Sequence, residues 1–289
     1  MASILKGHCA RQRGWALLLG VLCILSGAPA SFAQQAEIDS LASRVAQEIA
    51  KTGKKNVAVA DFVGVNGKSV PLGTWLADQF SAALAKADPN LEIIDRAKVK
   101  AALQAQPLLS RDSYAPDPKA AKRTCKSIGA EILVKGTLGP AGKAVGITLN
   151  SFDCLHSAKL LGSAVAGKIP LRQEMETLLP ESLDSLLLPG GVWVAGQGGA
   201  SEPSCVTCPS PDFPGEAVLQ KHEGEVEMEV TVSADGRARD ITITKSDGSE
   251  LDQSAVQAVR KWKFKPALDP NGRPVTARTV INVTFRLMP

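Results

Sequence analysis

Histidine is scarce in this 289-residue chain, which has three, and cysteine is limited to six. Beyond residue 33 only His156 and His222 remain, and no serine or cysteine motif accompanies either one. Nucleophile-and-base hydrolysis therefore has no support, and the chain reads as a non-enzymatic protein without a cofactor. An excess of charge is lacking too. Three of the 33 Lys and Arg, and none of the 29 Asp and Glu, fall in the first 33 residues, so the remainder is close to neutral. That excludes the basic footprint of a nucleic-acid or anionic-lipid binder, and any membrane contact is expected to be indirect. The apolar run Trp15 to Leu25 is about half of the ~20 residues a spanning helix needs.

What the amino terminus does have is an order: Lys6, His8, Arg11 and Arg13, then the apolar run, then Ser31-Phe32-Ala33. Residues 1–33 read as a secretory signal peptide, with cleavage expected after Ala33. An uncleaved end would instead anchor the chain in the inner membrane. The small residues that a lipoprotein signal places before its cysteine are missing ahead of Cys23. Export puts Cys125, Cys154, Cys205 and Cys208 in an oxidising compartment, too few for a disulfide scaffold.

Composition divides the rest of the chain. "PGGVWVAGQGGASEPSCVTCPSPD" is rich in Gly, Pro and Ser with little to bury except Val192, Trp193 and Val194, and reads as a linker over 189–208. It separates an α/β domain at 34–188 from a small α+β domain at 209–289. In the first, "NVAVADFV" is a buried strand, and "PLGTWLADQFSAALAKA" an amphipathic helix with Pro71 near its start. "LEIID" and "AEILVKGTL" are strands, and "RAKVKAALQAQ" and "DPKAAKRTCKSIG" are helices, the latter ended by Gly129. "AVGITLNSF" and "KLLGSAVAG" form a hairpin, and "LRQEMETLLPESLDSLLL" reads as a last helix kinked at Pro180. "GVNGKS" lacks P-loop spacing and reads as a turn. Asp61, Asp95 and Arg96 read as capping or solvated groups. Cys125 and Cys154 are either a disulfide or two buried thiols.

The second domain is patterned more sharply. Val226, Met228, Val230 and Val232 alternate with Glu225, Glu227, Glu229 and Thr231 before Asp235-Gly236 and a strand carrying Ile241 and Ile243. This is an antiparallel hairpin with one wet face. "LDQSAVQAVRKW" is a covering helix. In the last strand Ala277, Ile281, Val283 and Phe285 alternate with Arg278, Asn282, Thr284 and Arg286. Three antiparallel strands and one or two helices are expected, with the last strand exposed along one edge.

These residues carry two resemblances. "VAVADF", "LGTWLADQFSAAL", "IIDRAKV" and "GAEILVKGTL" resemble the α/β domain of TolB, FlgO and CsgG-like envelope proteins, which implies a module for contacts among envelope proteins. "PDFP", "EGEVEMEVTVSADGRARDITI", "LDQSAVQAVRKWKFKP" and "GRPVTARTVINVTFRL" resemble the TonB carboxy-terminal domain. This second resemblance implies a periplasmic protein that takes up a peptide segment of an outer-membrane transporter, coupling inner-membrane energy to uptake. Other envelope proteins, and a second copy of the chain, are further candidate partners. An unpaired edge supports strand addition on physical grounds as well. Its candidate contacts are Asp212 and Phe213 by motif, with Val280, Asn282, Thr284 and Arg286 on the last strand; Phe213 reads equally as a core plug. The energy-transducing member, however, keeps a membrane anchor and a long Pro-rich spacer, so a soluble envelope adaptor is the alternative.

Cys205 and Cys208 form a Cys-x-x-Cys pair followed by Pro209 rather than the histidine of haem attachment, and no second pair completes a zinc site. They read as a disulfide clasp at the entry of the second domain, with a thiol oxidoreductase centre as the alternative.

Overall fold

The computed structural model describes residues 30–105, 118–154 and 159–287. Most of the expected signal peptide, and the tip of the 153–160 hairpin, lie outside these. The described residues open with a helix absent from the sequence reading above, α1 (Ala30–Ala50), followed by β1 (Asn56–Val59), β2 (Val63–Gly64), α2 (Pro71–Ala87) and β3 (Glu92–Ile93). Then come α3 (Arg96–Ala105), α4 (Pro118–Ile128), β4 (Ile132–Pro140), β5 (Ala144–Asp153), β6 (Lys159–Leu160) and β7 (Val165–Pro170).

These strands make one mixed sheet in the order β3-β1-β4-β5-β6, with β2 also on β4 and β7 also on β5. The strands around β1 are parallel and those around β5 antiparallel. Helices cover both faces, which is why every residue of β1 and β4 is buried or half-buried. On one face Ile38, Leu41, Val45 and Ile49 of α1 recur at helical spacing and join Leu72, Leu76, Phe80 and Leu84 of α2 in the main core. On the other, Val99 and Cys125 meet Ala58, Ala60 and Leu133. Cys125 and Cys154 are disulfide-bonded with Cα atoms 5.9 Å apart, pinning α4 to the end of β5.

Arg96 at the start of α3 donates to Asp61, to Asp78 (2.8 Å) and to the Val59 carbonyl (2.6 Å), while the Asp95 carboxylate accepts from the Lys98 N–H (3.1 Å). These groups lock a helix to a strand end.

Lys135 on β4 lies opposite Asn150 with its ammonium 5.9 Å from the centre of the Phe152 ring. Burial pushes its amine down from 10.5 to about 8. Between those two values the unfolded chain holds more protons than the folded one, so stability rises with pH through that window and the full penalty applies at neutral pH. Lys135→Met is expected to stabilise the protein by about 2 kcal/mol at pH 7. Thermal melts at neutral and strongly alkaline pH check this, the gain shrinking in the latter.

The expected helix over residues 171–188 does not form. Two 3₁₀ turns, Gln173–Leu178 and Leu183–Leu186, stand in its place, because Leu179 before Pro180 is extended (φ −79°, ψ 147°). Ser182 restarts the second turn by accepting from the Asp184 N–H (3.2 Å).

The stretch read as a linker is ordered and packed. It contains β8 (Trp193–Val194) and β9 (Ser204–Thr207) and leads into α5 (Gly215–Leu219), β10 (Gly224–Val232), β11 (Ala238–Lys245) and α6 (Ser249–Lys261). The chain ends with β12 (Lys263–Lys265), β13 (Ala267–Leu268), β14 (Pro274–Val275) and β15 (Ala277–Phe285). The second sheet has the order β11-β10-β15-β8, so a short parallel fourth strand from the supposed linker adds to the three expected. Val226, Met228 and Val230 face Leu251, Ala255 and Val259 of α6 in a separate core.

Residues 189–208 form a strap, whose Trp193, Val194 and Ala200 pack between Val65 and Leu187 of the first domain and Ala267 and Ala277 of the second. The Gly198 and Gly199 N–H groups donate to the Thr137 and Thr148 hydroxyls (3.0 and 2.9 Å). Close approach explains the glycines: a Cβ on Gly139 would lie 2.4 Å from the Trp193 ring, and one on Gly146 would lie 2.2 Å from the Gly198 carbonyl oxygen.

Candidate functional site: an open sheet edge and its groove

The last strand pairs with β10 along its whole length, from Gly224 opposite Phe285 to Val232 opposite Ala277, without a register shift. Among the described residues its other edge is occupied only at the start. The Trp193 N–H donates to the Thr276 carbonyl (3.0 Å) and the Ala195 N–H to the Arg278 carbonyl (2.9 Å). The expectation of a last strand exposed along one edge is corrected at that point, because β8 covers residues 277–278.

Beyond Arg278 no strand among the described residues adds to this edge. Main-chain groups of successive residues in a strand point to alternate sides. Since Thr276 and Arg278 face the edge, so do the N–H and C=O groups of Val280, Asn282, Thr284 and Arg286. All four side chains are exposed. Val280 is 55% exposed, an isolated apolar side chain on a polar face.

At the far end the edge runs into an open groove of about 620 Å³ walled by Ser210, Pro211, Phe213, Val218, Arg286 and Leu287. The Phe213 ring stands edge-on to that of Phe285, 5.6 Å between centres, so it packs against the core and forms the groove wall at once. Val218 is 44% and Leu219 85% exposed on α5 beside it. The groove gathers Phe213, Thr284 and Arg286 from the sequence-derived set. Asp212 stands apart: it lines a smaller hollow against α6 with Ser254 and Lys261, and its carbonyl accepts from the Ser254 hydroxyl. Pattern reading missed Val218, Leu219 and Leu287, although an apolar pair on so short a helix was visible.

The entry to this groove is held from outside. The Trp262 indole N–H donates to the Pro209 carbonyl (2.9 Å), and β9 pairs antiparallel with β12, Cys205 opposite Phe264. Cys205 and Cys208 are joined in a disulfide. Ser210, two residues on, already forms groove wall.

Residues 209–287 match the family model of the Gram-negative bacterial TonB protein C-terminal. Protein tonB2 of Pseudomonas aeruginosa is 45% identical over 60 residues, covering 20% of this chain and 22% of that protein. Protein TonB of Vibrio cholerae is 36% identical over 101 residues, covering 32% and 41%. The chain thus spans less than half the length of these curated relatives. Among solved structures, the solution NMR structure of the Pseudomonas aeruginosa TonB C-terminal domain is 26% identical with a TM-score of 0.27, covering 30% of this chain and 88% of that one. The LpoB C-terminal domain from Escherichia coli is 13% identical with a TM-score of 0.33, covering 48% and 98%. Residues 209–287 thus form a segment that matches the TonB carboxy-terminal domain.

Proposed function

We propose that this is a non-enzymatic periplasmic protein whose open β15 edge takes up an extended segment of an outer-membrane transporter by strand addition, in energy-coupled transport. The observation that carries the reading is the row of outward main-chain groups from Val280 to Arg286 ending in a groove with an aromatic wall. Main-chain pairing supplies affinity there, and alternate side chains supply selection. A second reading, an envelope adaptor that binds without transmitting force, is favoured by the strap, which packs the TonB-like domain directly on an α/β domain.

Proline parity tests strand addition. Asn282→Pro removes an outward N–H and leaves the β10 ladder whole, a place where edge strands tolerate proline. Ile281→Pro removes a ladder donor instead. With a peptide copied from a transporter's periplasmic plug segment, Asn282→Pro is expected to keep the fold and lose about tenfold in affinity, since each lost hydrogen bond is worth about 1 kcal/mol and the ring adds a clash. Ile281→Pro is expected to melt well below the parent. Undiminished binding by a folded Asn282→Pro variant would sink the reading.

A further inference from the structure

We propose that Cys205–Cys208 is a thiol–disulfide exchange site for a dithiol partner protein, and that its redox state sets where the groove wall at Ser210 and Pro211 stands. The chain is the substrate of this exchange and not its catalyst, and the inference stands apart from strand addition.

Access comes first. Among the described residues two disulfides differ in it: Cys125 and Cys154 are both buried, whereas Cys205 is exposed and Cys208 half-buried. An attacking thiolate has to reach a sulfur atom, so of the two bonds only Cys205–Cys208 is open to a macromolecule. Among the described residues β9 pairs with β12 alone, and its outer edge is free to hold a partner chain beside Cys205. Lys263 and Lys265, both exposed, lie on β12 opposite Thr207 and Ser204 and put positive charge around the ring, which favours a departing thiolate.

In the exchange, one partner thiolate attacks Cys205 Sγ, the Cys205–Cys208 bond breaks, and Cys208 leaves as a thiolate that takes a proton. The partner's second thiol loses its proton, attacks the partner's own sulfur in the mixed disulfide and releases Cys205. Two electrons and two protons pass to this chain, and the partner's two thiols end as a disulfide.

The ring is coupled to the groove through the strand it closes. Phe264 stands opposite Cys205 and Lys263 opposite Thr207, so β9 has one residue more than β12 there, and Val206 is the bulge, 66% exposed. The disulfide spans that bulge. It holds the Cys205 and Cys208 Cα atoms 6.1 Å apart, against about 10 Å for three extended steps of roughly 3.3 Å. Closing the ring therefore takes up about 4 Å, close to one residue of strand. Opening it lets β9 run on without the bulge, Val206 opposite Lys263 and Thr207 opposite Trp262, a one-residue change of register.

That slack falls on a short span between two anchors. Upstream the Trp262 indole N–H donates to the Pro209 carbonyl (2.9 Å). Downstream the Asp212 carbonyl accepts from the Ser254 hydroxyl, and the Phe213 ring packs on Phe285. Between them Ser210 and Pro211 line both the groove and the smaller hollow against α6. A register step breaks the Trp262 contact and moves this shared wall, which makes the ring a redox-biased two-position element.

The test uses the oxidised full chain and a thioredoxin-type protein whose second active-site cysteine is serine, so that exchange stops at the mixed disulfide. Peptide mapping by mass spectrometry is expected to find the adduct at Cys205, with the Cys125–Cys154 bond intact. With the complete dithiol protein, Cys205–Cys208 is expected to be reduced at least about tenfold faster than Cys125–Cys154. Nitrogen-15 spectra before and after reduction read the wall. The Trp262 indole N–H is expected to shift and to exchange faster with solvent, together with the amides of Val206 and Ser210, while the Trp193 indole stays in place. The Cys205→Ser, Cys208→Ser double variant should show the reduced spectrum with or without reductant. No adduct at Cys205, equal loss of the two disulfides, or a Trp262 indole unmoved by reduction overturns the proposal.

Discussion

Replacing Trp193 by alanine is expected to remove about 3–5 kcal/mol of stability and to split one unfolding transition into two. The indole is 3% exposed and touches both domains: Val65 and Leu187 lie on one side, Ala267 and Ala277 on the other. Its ring lies against Gly139, where any side chain would collide with it. Truncation leaves a void between two bodies that have separate cores of their own, so the loss falls on their attachment more than on either fold. Calorimetry reads this directly, as one cooperative peak in the parent and two in the variant. A variant that still melts in one peak near the parent's temperature would mean that Trp193 is not what holds the domains together.

The second large effect concerns the two disulfides, which differ in kind. Cys125 and Cys154 are 1% and 2% exposed and close a loop with a sequence separation of 29. Loop-closure entropy for that length is worth about 3.5 kcal/mol, so changing both to serine is expected to lower the melting temperature of the α/β domain by about 10 °C. Cys205, on a strand that is exposed throughout, and Cys208, one residue past its end, are three residues apart. Their closed loop is short, and their loss is expected to cost about half as much or less. Melting curves of the two double variants, with and without reductant, decide the order; equal shifts would contradict it.

Period-two alternation made the outward set Val280, Asn282, Thr284 and Arg286 legible, because in a strand the face of one residue fixes the face of every second residue. The same rule exposed the Glu225–Glu229 row and the covering stripe of α6. Three features escaped because their causes are not local. The glycines at 196, 198 and 199 look like flexibility in composition, yet they serve close packing of strap on sheet, with φ of +71°, +60° and +82°. Val192-Trp193-Val194 stood out as apolar, but nothing nearby says that its partner lies at residues 276–278. In "LRQEMETLLPESLDSLLL" the apolar spacing suits a helix, and Pro180 overrules it by forcing the residue before it to extend. The first helix has a clean apolar spacing, from Ile38 to Ile49, so its pattern is present in the sequence.

Cys205-Val-Thr-Cys208 also gains a place. The clasp pairs through β9 with β12, the strand leaving α6, and its end leads straight into the groove wall at Ser210. It therefore holds the site's entry from outside the α/β core.

Strand addition is tested most directly by following backbone amides in the isotope-labelled full chain as a peptide from a transporter's periplasmic plug segment is added. The account predicts that the amides of Val280, Asn282, Thr284 and Arg286 shift and become protected from exchange. Those of Ile281 and Val283, already donating to β10, should move less, and Thr276 and Arg278 should stay as they are beneath β8. Shifts confined to β11 or to the α/β domain, or none at millimolar peptide, would contradict it.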